Sequence, residues 1–309
     1  MSPERPEGTG GPPAAEQSRG SEPRRTPLPR GPSPWRRTQN AAALSACWLA
    51  AAVVVVPLAL IVWHLLQRGL PAFRPSFFFN LPKPVGEPGG GMANAIVGTG
   101  ILVGLGALIA VPVGVGAGVW LAEYGRGRLA AVVRYTADVL AGVPSIVVGV
   151  AAYGLVVVPL GHFSALAGGV ALGILMLPTI VRSTEEVVLL VPRSYREAAL
   201  ALGAPRWRAI QEVVIPSASA GIVTATILAL ARAAGETAPL LFTALNNRFW
   251  SLRLDQPIAS LPVFIYDYAR APYEDWNRQA WTGALALLLL VTLLSGLVRL
   301  ALRGMPRGR

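Results

Sequence analysis

Long apolar runs constrain the fold of this chain more than any other feature of its sequence. Six of them stand at about 41–66, 93–121, 137–160, 164–181, 214–243 and 280–301. Each is near or above the ~20 residues that an α-helix needs to cross ~30 Å of hydrocarbon. We therefore predict an all-α polytopic membrane protein with six transmembrane helices, in which residues 41–309 form the membrane domain.

The distribution of arginine predicts the orientation of these helices. Only 14% of the 309 residues are charged, against ~25% in an average soluble domain, and the net charge is +11. The Arg-rich segments are both termini and the stretches 126–134 and 182–212, which share one face of a six-helix arrangement. Since cytoplasmic loops carry the excess of positive charge, this face and both termini are predicted to be cytoplasmic. The positive net charge is therefore explained by the orientation of the chain in membrane lipid. For this reason no nucleic-acid partner is expected.

Residues 1–40 differ sharply in composition from the rest of the chain. They are rich in Pro, Gly and Arg and contain few large apolar side chains. Such a segment cannot bury enough apolar surface to offset chain entropy, so we predict a disordered cytoplasmic tail. The apolar run that follows is too long for a signal-peptide core and lacks a convincing cleavage site, which predicts an uncleaved first span.

Residues that could carry catalysis or bind a metal are scarce. Cys47 is the only cysteine, and His64 and His162 stand alone, without a nearby carboxylate pattern. The sequence therefore indicates no metal site, no cofactor and no catalytic residue. It also has no Walker-type glycine loop, so any ATP hydrolysis must come from another chain. We expect a membrane subunit that is not itself an enzyme.

A mixed, Arg-bearing segment at about 182–213 separates two of the apolar runs. Its characteristic residues, with the first proline beyond it, are Ser194, Glu197, Ala198, Ala199, Gly203 and Pro216. Ser194 and Glu197 have the spacing of a capping box. Glu197 would then lie in the first turn, where the helix dipole stabilises a negative charge. Gly203 suits the left-handed position just past a helix end. We predict a short helix that presents a surface to a partner outside the bilayer; the alternative is an ordinary amphipathic helix on the membrane.

Two charged residues lie within the fifth apolar run. Arg232 and Glu236 are four positions apart, which predicts one helix face, and they lie ~24 Å of helix rise beyond Pro216. Because unpaired charges at such depth cost several kcal/mol, they must face a partner or a watery cavity. Two interpretations stay open. The pair is an internal salt bridge between helices, or Arg232 contacts an anion in a pore while Glu236 holds or gates it.

Prolines and one further arginine complete the set of candidate residues. Arg182 ends the fourth run, where arginine is ordinary topology or part of an anion path. Pro144, Pro178 and Pro239 each remove a helix hydrogen bond, which predicts hinges or sites of close packing. The glycines between residues 98 and 118 predict close approach of neighbouring helices.

Four segments together resemble a known family of transporter subunits. They are 141–147, 182–186, the loop around Glu197, and 229–241. These residues resemble the permeases of binding-protein-dependent ABC importers, and in particular the PstA-type subunit of phosphate transporters, over about 90–300. Val213 and Ile215 stand where the family usually has Ile and Leu. The long N-terminal tail is not part of the pattern.

The resemblance implies a type I ABC-importer permease fold in the cytoplasmic (inner) membrane. It implies four further components: a second homologous permease subunit, an ATP-binding cassette ATPase dimer, an external phosphate-binding protein, and inorganic phosphate as the substrate. It makes the Glu197–Gly203 loop the ATPase-coupling element and ties Arg182, Arg232 and Glu236 to translocation. The alternatives are import of another oxyanion, such as molybdate or sulfate, and an ATP-independent channel or carrier.

Overall fold

The computed structural model describes residues 34–87 and 89–303, apart from the side chains of residues 34, 37, 297–299 and 301–303. The chain divides into two compact units, Met1–Ala59 and Leu60–Arg309. The described part of the first unit belongs to helix α1 (Pro34–Gly69). Most of the predicted tail, residues 1–33, lies outside the described residues. Residues 34–40 are helical, so the first helix begins before the predicted boundary.

Within the described residues of the second unit the secondary structure is helical, without strands. Its first half contains α2 (Pro75–Phe79), α3 (Ala93–Glu123), α4 (Gly127–Gly142), α5 (Ser145–Ala152), α6 (Val158–Leu160) and α7 (Ala165–Leu189). Its second half contains α8 (Arg193–Ala201), α9 (Arg206–Ala209), α10 (Ile215–Ala233), α11 (Ala238–Thr243), α12 (Leu261–Ala269) and α13 (Glu274–Arg303). A 3-10 turn, Leu70–Ala72, and two π turns, Tyr153–Val157 and Ile210–Val214, complete the described helical structure.

The prediction of an all-α polytopic membrane protein is confirmed. Five described helical segments are long and apolar enough to cross a membrane: Thr38–Ala72, Ala93–Glu123, Ala165–Leu189, Arg206–Ala233 and Glu274–Gly296. A sixth span results if the bent pair Gly127–Gly142 and Ser145–Leu160 is counted as one. Together these segments account for the six apolar runs.

The third apolar run does not form the single span predicted at 137–160. Its helix ends at Gly142, and the chain resumes as a helix at Ser145 after a bend of 107°. Pro144 lies at this break in extended conformation and is the N-cap of α5, because a proline lacks the N–H that would continue α4. Helix α4 begins at Gly127, so Arg134 lies in a helix and not in the predicted loop.

The fifth run is also interrupted. Helix α10 ends at Ala233, residues 234–237 form a tight turn, and α11 begins at Ala238. The amides of Gly235 and Glu236 close this turn on the carbonyls of Arg232 and Ala233, at 3.1 Å each. The continuous helix over 214–243 that the sequence analysis assumed is therefore wrong at this turn.

Both π turns precede a proline in the second position of the following helix. Tyr153–Val157 is followed by Pro159, and Ile210–Val214 by Pro216. A π turn shifts the hydrogen-bond register by one residue. The helix can therefore continue through the proline, which has no N–H and whose ring crowds the preceding turn.

The core is built on close packing of α3 against α7. A methyl group built on Gly114 would lie 2.8 Å from Cγ2 of Ile180, and one built on Gly118 would lie 2.6 Å from Cβ of Thr184. Gly106 faces Met176 in the same way. The prediction of close glycine packing is confirmed for this face of α3. It does not extend to Gly100, Gly104 and Gly116, where an added Cβ would meet no atom of another described segment within 4 Å.

Residues 244–260 return into the fold after α11 and are held by hydrogen bonds to their backbone carbonyls. The amide of Leu166 donates to the carbonyl of Leu254 at 3.0 Å, at the start of α7. Asn94 at the start of α3 donates to the carbonyl of Asn247 at 2.6 Å. This segment therefore joins the N-terminal ends of α3 and α7, the ends opposite to those that carry the Arg-rich face.

Candidate functional site

The predicted short helix exists as α8, but its start differs from the prediction. Pro192 is the N-cap, and no side chain caps the helix. Ser194 therefore lies inside the helix, and Glu197 lies in the second turn, beyond the reach of the first-turn dipole effect. The predicted capping box between these residues is wrong, because Pro192 in extended conformation already sets the helix start.

The end of α8 agrees with the prediction. Gly203 has a φ of +81°, the left-handed conformation that glycine adopts without a Cβ penalty. Its amide donates to the carbonyl of Leu200 at 3.0 Å, and the amide of Ala204 donates to the carbonyl of Ala199 at 3.1 Å. These two bonds form a Schellman motif, which satisfies the last carbonyls and fixes where the helix stops.

Helix α8 presents much of its surface outward. Glu197, Ala198 and Leu200 are exposed, and so is the ring of Tyr195. Ala199 is buried against its own chain. Of the two alanines, only Ala198 is thus placed to let a partner approach closely.

The base of α8 is tied to α3 and α7 by residues that the sequence analysis missed. Arg196 donates from Nε to Oε1 of Glu123, the last residue of α3, at 2.8 Å. It also donates from Nη2 to the carbonyl of Val188, in the last turn of α7, at 3.0 Å. Arg206, at the start of α9, donates to the backbone carbonyl of Glu123. Glu123 and Arg196 are 73 positions apart, so no local spacing indicates the contact.

Arg182 belongs to a network of ion pairs between α4 and α7. Its Nη1 lies 2.9 Å from Oε2 of Glu185, and its Nε lies 3.0 Å from Oδ1 of Asp138. Arg134 approaches the other oxygen of Glu185 at 2.6 Å. The Glu185 side chain is only 4% exposed, so this carboxylate is buried between two guanidinium groups. Helix α7 continues to Leu189, which places Arg182 inside the helix and not at its end.

Arg232 and Glu236 are in contact, although not on a common helix face. Arg232 lies in the last turn of α10, and Glu236 lies in the turn that follows. Their closest charged atoms are 4.0 Å apart. The Arg232 side chain is 70% exposed and that of Glu236 is 22% exposed. Most donors of the Arg232 guanidinium are therefore accessible to a group outside the described part of this chain. Arg182 does not contact this pair and has its own partners, Asp138 and Glu185.

The three predicted prolines have different surroundings. Pro144 marks the break before α5. Pro178 is buried within α7, which runs through it without a break, so packing and not hinging describes it. Pro239 is buried at the start of α11, where a Cβ on Gly149 would lie 2.6 Å from its Cα. Pro216 follows the π turn inside the segment Arg206–Ala233.

Three ionisable groups within residues 244–279 have a shifted pKa, and the first is Arg253, whose pKa is raised by its hydrogen bond to Asp255. A hydrogen bond from Arg253 lowers the pKa of the Asp255 carboxyl. Burial raises the pKa of the Tyr268 hydroxyl. Asp255 is therefore ionised and Tyr268 protonated at neutral pH.

Substitution at Gly203 is expected to weaken the end of α8. The Gly203→Val variant must place a β-branched residue at φ +81°, which costs about 1–2 kcal/mol. The Gly203→Asn variant introduces a residue that tolerates the left-handed conformation. We expect the valine variant to bind the partner predicted for this helix less well, with the asparagine variant close to wild type. Co-purification of the partner from membranes measures this. Equal recovery with both variants would show that the Gly203 conformation does not matter.

The helical membrane fold contains a short, exposed helix between two spans, and this helix ends at a glycine. In the sequence analysis this feature is one of those that resemble importer permeases. Residues 114–306 match the family described as binding-protein-dependent transport system inner membrane component. The chain belongs to this family. It is a multi-pass inner-membrane transport subunit, as the sequence predicted.

Sequence relatives assign the chain to a narrower group within this family. The chain is 45% identical over 269 residues to the phosphate transport system permease protein PstA of Yersinia pestis, covering 86% of this chain and 90% of that protein. It is 47% identical over 262 residues to the protein of the same name from Xylella fastidiosa (strain Temecula1), covering 84% and 91%. The PstA-type resemblance is thus confirmed.

A solved structure shares the fold. A chain of the MetNI methionine ABC transporter, in an inward-facing conformation, superposes with a TM-score of 0.59 and 21% identity. The match covers 71% of this chain and 98% of that one. At this identity the likeness concerns the fold alone. It confirms the predicted type I ABC-importer permease fold.

Proposed function

We propose that this chain is the permease subunit of an ATP-driven phosphate importer and forms half of its translocation pore. The observation that carries the proposal is the identity of 45–47% to phosphate permeases over most of both chains. The fold supports it, because the same architecture occurs in an ABC transporter. On this basis phosphate is favoured over molybdate or sulfate, and ATP-driven import over an independent channel or carrier.

The proposed machine needs further subunits. Helix α8 supports docking of an ATP-binding cassette ATPase dimer, because Tyr195, Glu197 and Leu200 are exposed on a helix whose ends are fixed. A second homologous permease completes the pore, and an external phosphate-binding protein delivers the ion. The loop at about 182–213 is then cytoplasmic, and both termini share its side. The importer core of the membrane domain is about 90–300, with the tail 1–40 outside it.

Arg232 is our candidate for direct contact with the anion. Its guanidinium is exposed and only loosely paired with Glu236 at 4.0 Å, so it has donors to offer to a phosphate oxygen. A guanidinium binds a phosphate in a bidentate manner that lysine cannot reproduce. Glu236 then holds Arg232 in place when no ion is bound. Arg182 borders the same path, and its two carboxylate partners, Asp138 and Glu185, hold it there.

Uptake of labelled phosphate by phosphate-starved cells tests this proposal. In cells without another high-affinity phosphate importer, the chain is expected to restore uptake. Loss of one charged hydrogen bond is worth ~1.5–3 kcal/mol, so Arg232→Gln should lower uptake by at least about tenfold at equal membrane abundance. Arg208→Gln, which breaks the exposed pair with Glu212, serves as the control.

Two outcomes would contradict the proposal. Absence of phosphate uptake with the wild-type chain, present in the membrane with its partners, would reject phosphate as the substrate. Equal uptake by Arg232→Gln and Arg208→Gln would leave the importer in place but remove Arg232 from the anion path.

A further inference from the structure

The guanidinium of Arg196 connects three helices. Its Nε and Nη2 lie 2.8 and 2.6 Å from Oε1 of Glu123 at the end of α3. Its Nη1 donates to the carbonyl of Val191 at 2.6 Å, just before α8, and its Nη2 donates to that of Val188 in α7. A single side chain of α8 thus contacts the ends of both core helices.

The contact is buried and specific to arginine. The side chains of Glu123 and Arg196 are 6% and 20% exposed, so solvent screens their attraction little. Three nitrogen atoms of one planar group serve acceptors in three directions. A lysine has a single nitrogen on a flexible stem and cannot make this set of bonds.

A second residue supports the same joint from the other side of the loop. Arg206 at the start of α9 donates to the carbonyl of Glu123, and its guanidinium carbon lies 4.7 Å from the ring centre of Tyr124. The segments before and after Gly203 are therefore both attached at the C-terminal end of α3. A displacement of α8 cannot be absorbed by the loop alone.

The joint leads directly into the transmembrane core. Glu123 ends the helix whose glycines 106, 114 and 118 pack against α7. We propose that the Glu123–Arg196 pair is the joint that transmits movement of α8 to α3 and α7 as one body, so that both are positioning residues for coupled transport. This inference rests on the proposed function, since it assumes that an ATPase moves α8.

The test uses the complete transporter in lipid vesicles, with its ATPase, partner permease and phosphate-binding protein. The variants are Glu123→Gln, Arg196→Lys and the double variant Glu123→Gln/Arg196→Gln. Two ratios are measured: labelled phosphate transported per ATP hydrolysed, and ATPase retained per permease. We expect retained ATPase to stay near wild type, while phosphate per ATP falls by about tenfold, within the usual range of coupling free energies. Arg208→Gln/Glu212→Gln, an exposed pair in the same loop, is expected to behave as wild type.

The double variant separates coupling from simple burial of charge. If damage arises only because one buried charge loses its partner, removing both charges restores phosphate per ATP, and the proposal is overturned. If the joint transmits movement, the double variant stays uncoupled. Wild-type coupling in both Glu123→Gln and Arg196→Lys would also overturn it, as would loss of the ATPase from all variants. Absence of phosphate transport in the wild type would instead reject the proposed function.

Discussion

Replacement of Gly118 by leucine is expected to remove most of the protein from the membrane fraction. A Cβ at this position would lie 2.7 Å from the carbonyl oxygen of Val181 and 2.6 Å from Cβ of Thr184. Overpacking of a close helix contact costs typically about 1–3 kcal/mol, and the obstacle here includes backbone that cannot rotate away. Quantitative blotting of membranes and thermal unfolding in detergent measure the effect.

Gly116 on the same helix provides the matched control. A Cβ there meets no atom of another described segment within 4 Å, so Gly116→Leu should leave abundance and unfolding temperature unchanged. Equal abundance of the Gly118→Leu and Gly116→Leu proteins would contradict the packing of α3 against α7.

Glu185→Gln is expected to destabilise the packing of α4 against α7. The buried carboxylate contacts Arg134 at 2.6 Å and Arg182 at 2.9 Å, one on each oxygen. A neutral amide keeps one oxygen for one of these cations and turns an NH2 donor toward the other. Breaking a buried ion pair costs about 3–5 kcal/mol, and the partial exposure of both arginines reduces this to about 2–3 kcal/mol. A fall in the unfolding temperature of the purified protein measures it.

The neighbouring residue tests whether burial is the cause. Glu186 is exposed, so Glu186→Gln removes the same charge from the same helix without breaking the network. Its unfolding temperature should match wild type. If the two variants lose stability equally, the loss follows net charge and not the buried contacts of Glu185.

The spans and the fold class could be predicted because hydrocarbon thickness imposes a length that the apolar runs record directly. Breaks within these runs were harder to predict from the sequence. A proline such as Pro144 predicts an interruption, but a bend of 107° depends on what packs on each side. The turn after Ala233 has no proline at its start, and the same-face argument for Arg232 and Glu236 failed there because it assumed a continuous helix.

Helix α8 shows the same division between local and distant information. Gly203 could be assigned from sequence, since a glycine after a helical run has few other roles. The capping box failed because the rigid Pro192 sets the first turn ahead of Ser194. The Glu123–Arg196 contact and the Arg134–Glu185 pair join residues 73 and 51 positions apart, which become neighbours only when the helices pack.

ATP-driven accumulation of labelled phosphate in lipid vesicles, containing this chain with its partner permease, ATPase and binding protein, tests the central claim most directly. We predict accumulation that requires ATP and that excess unlabelled phosphate abolishes while sulfate and molybdate do not. Accumulation without ATP would point to a channel or carrier. Accumulation of labelled sulfate or molybdate in place of phosphate would show that this family member imports another oxyanion.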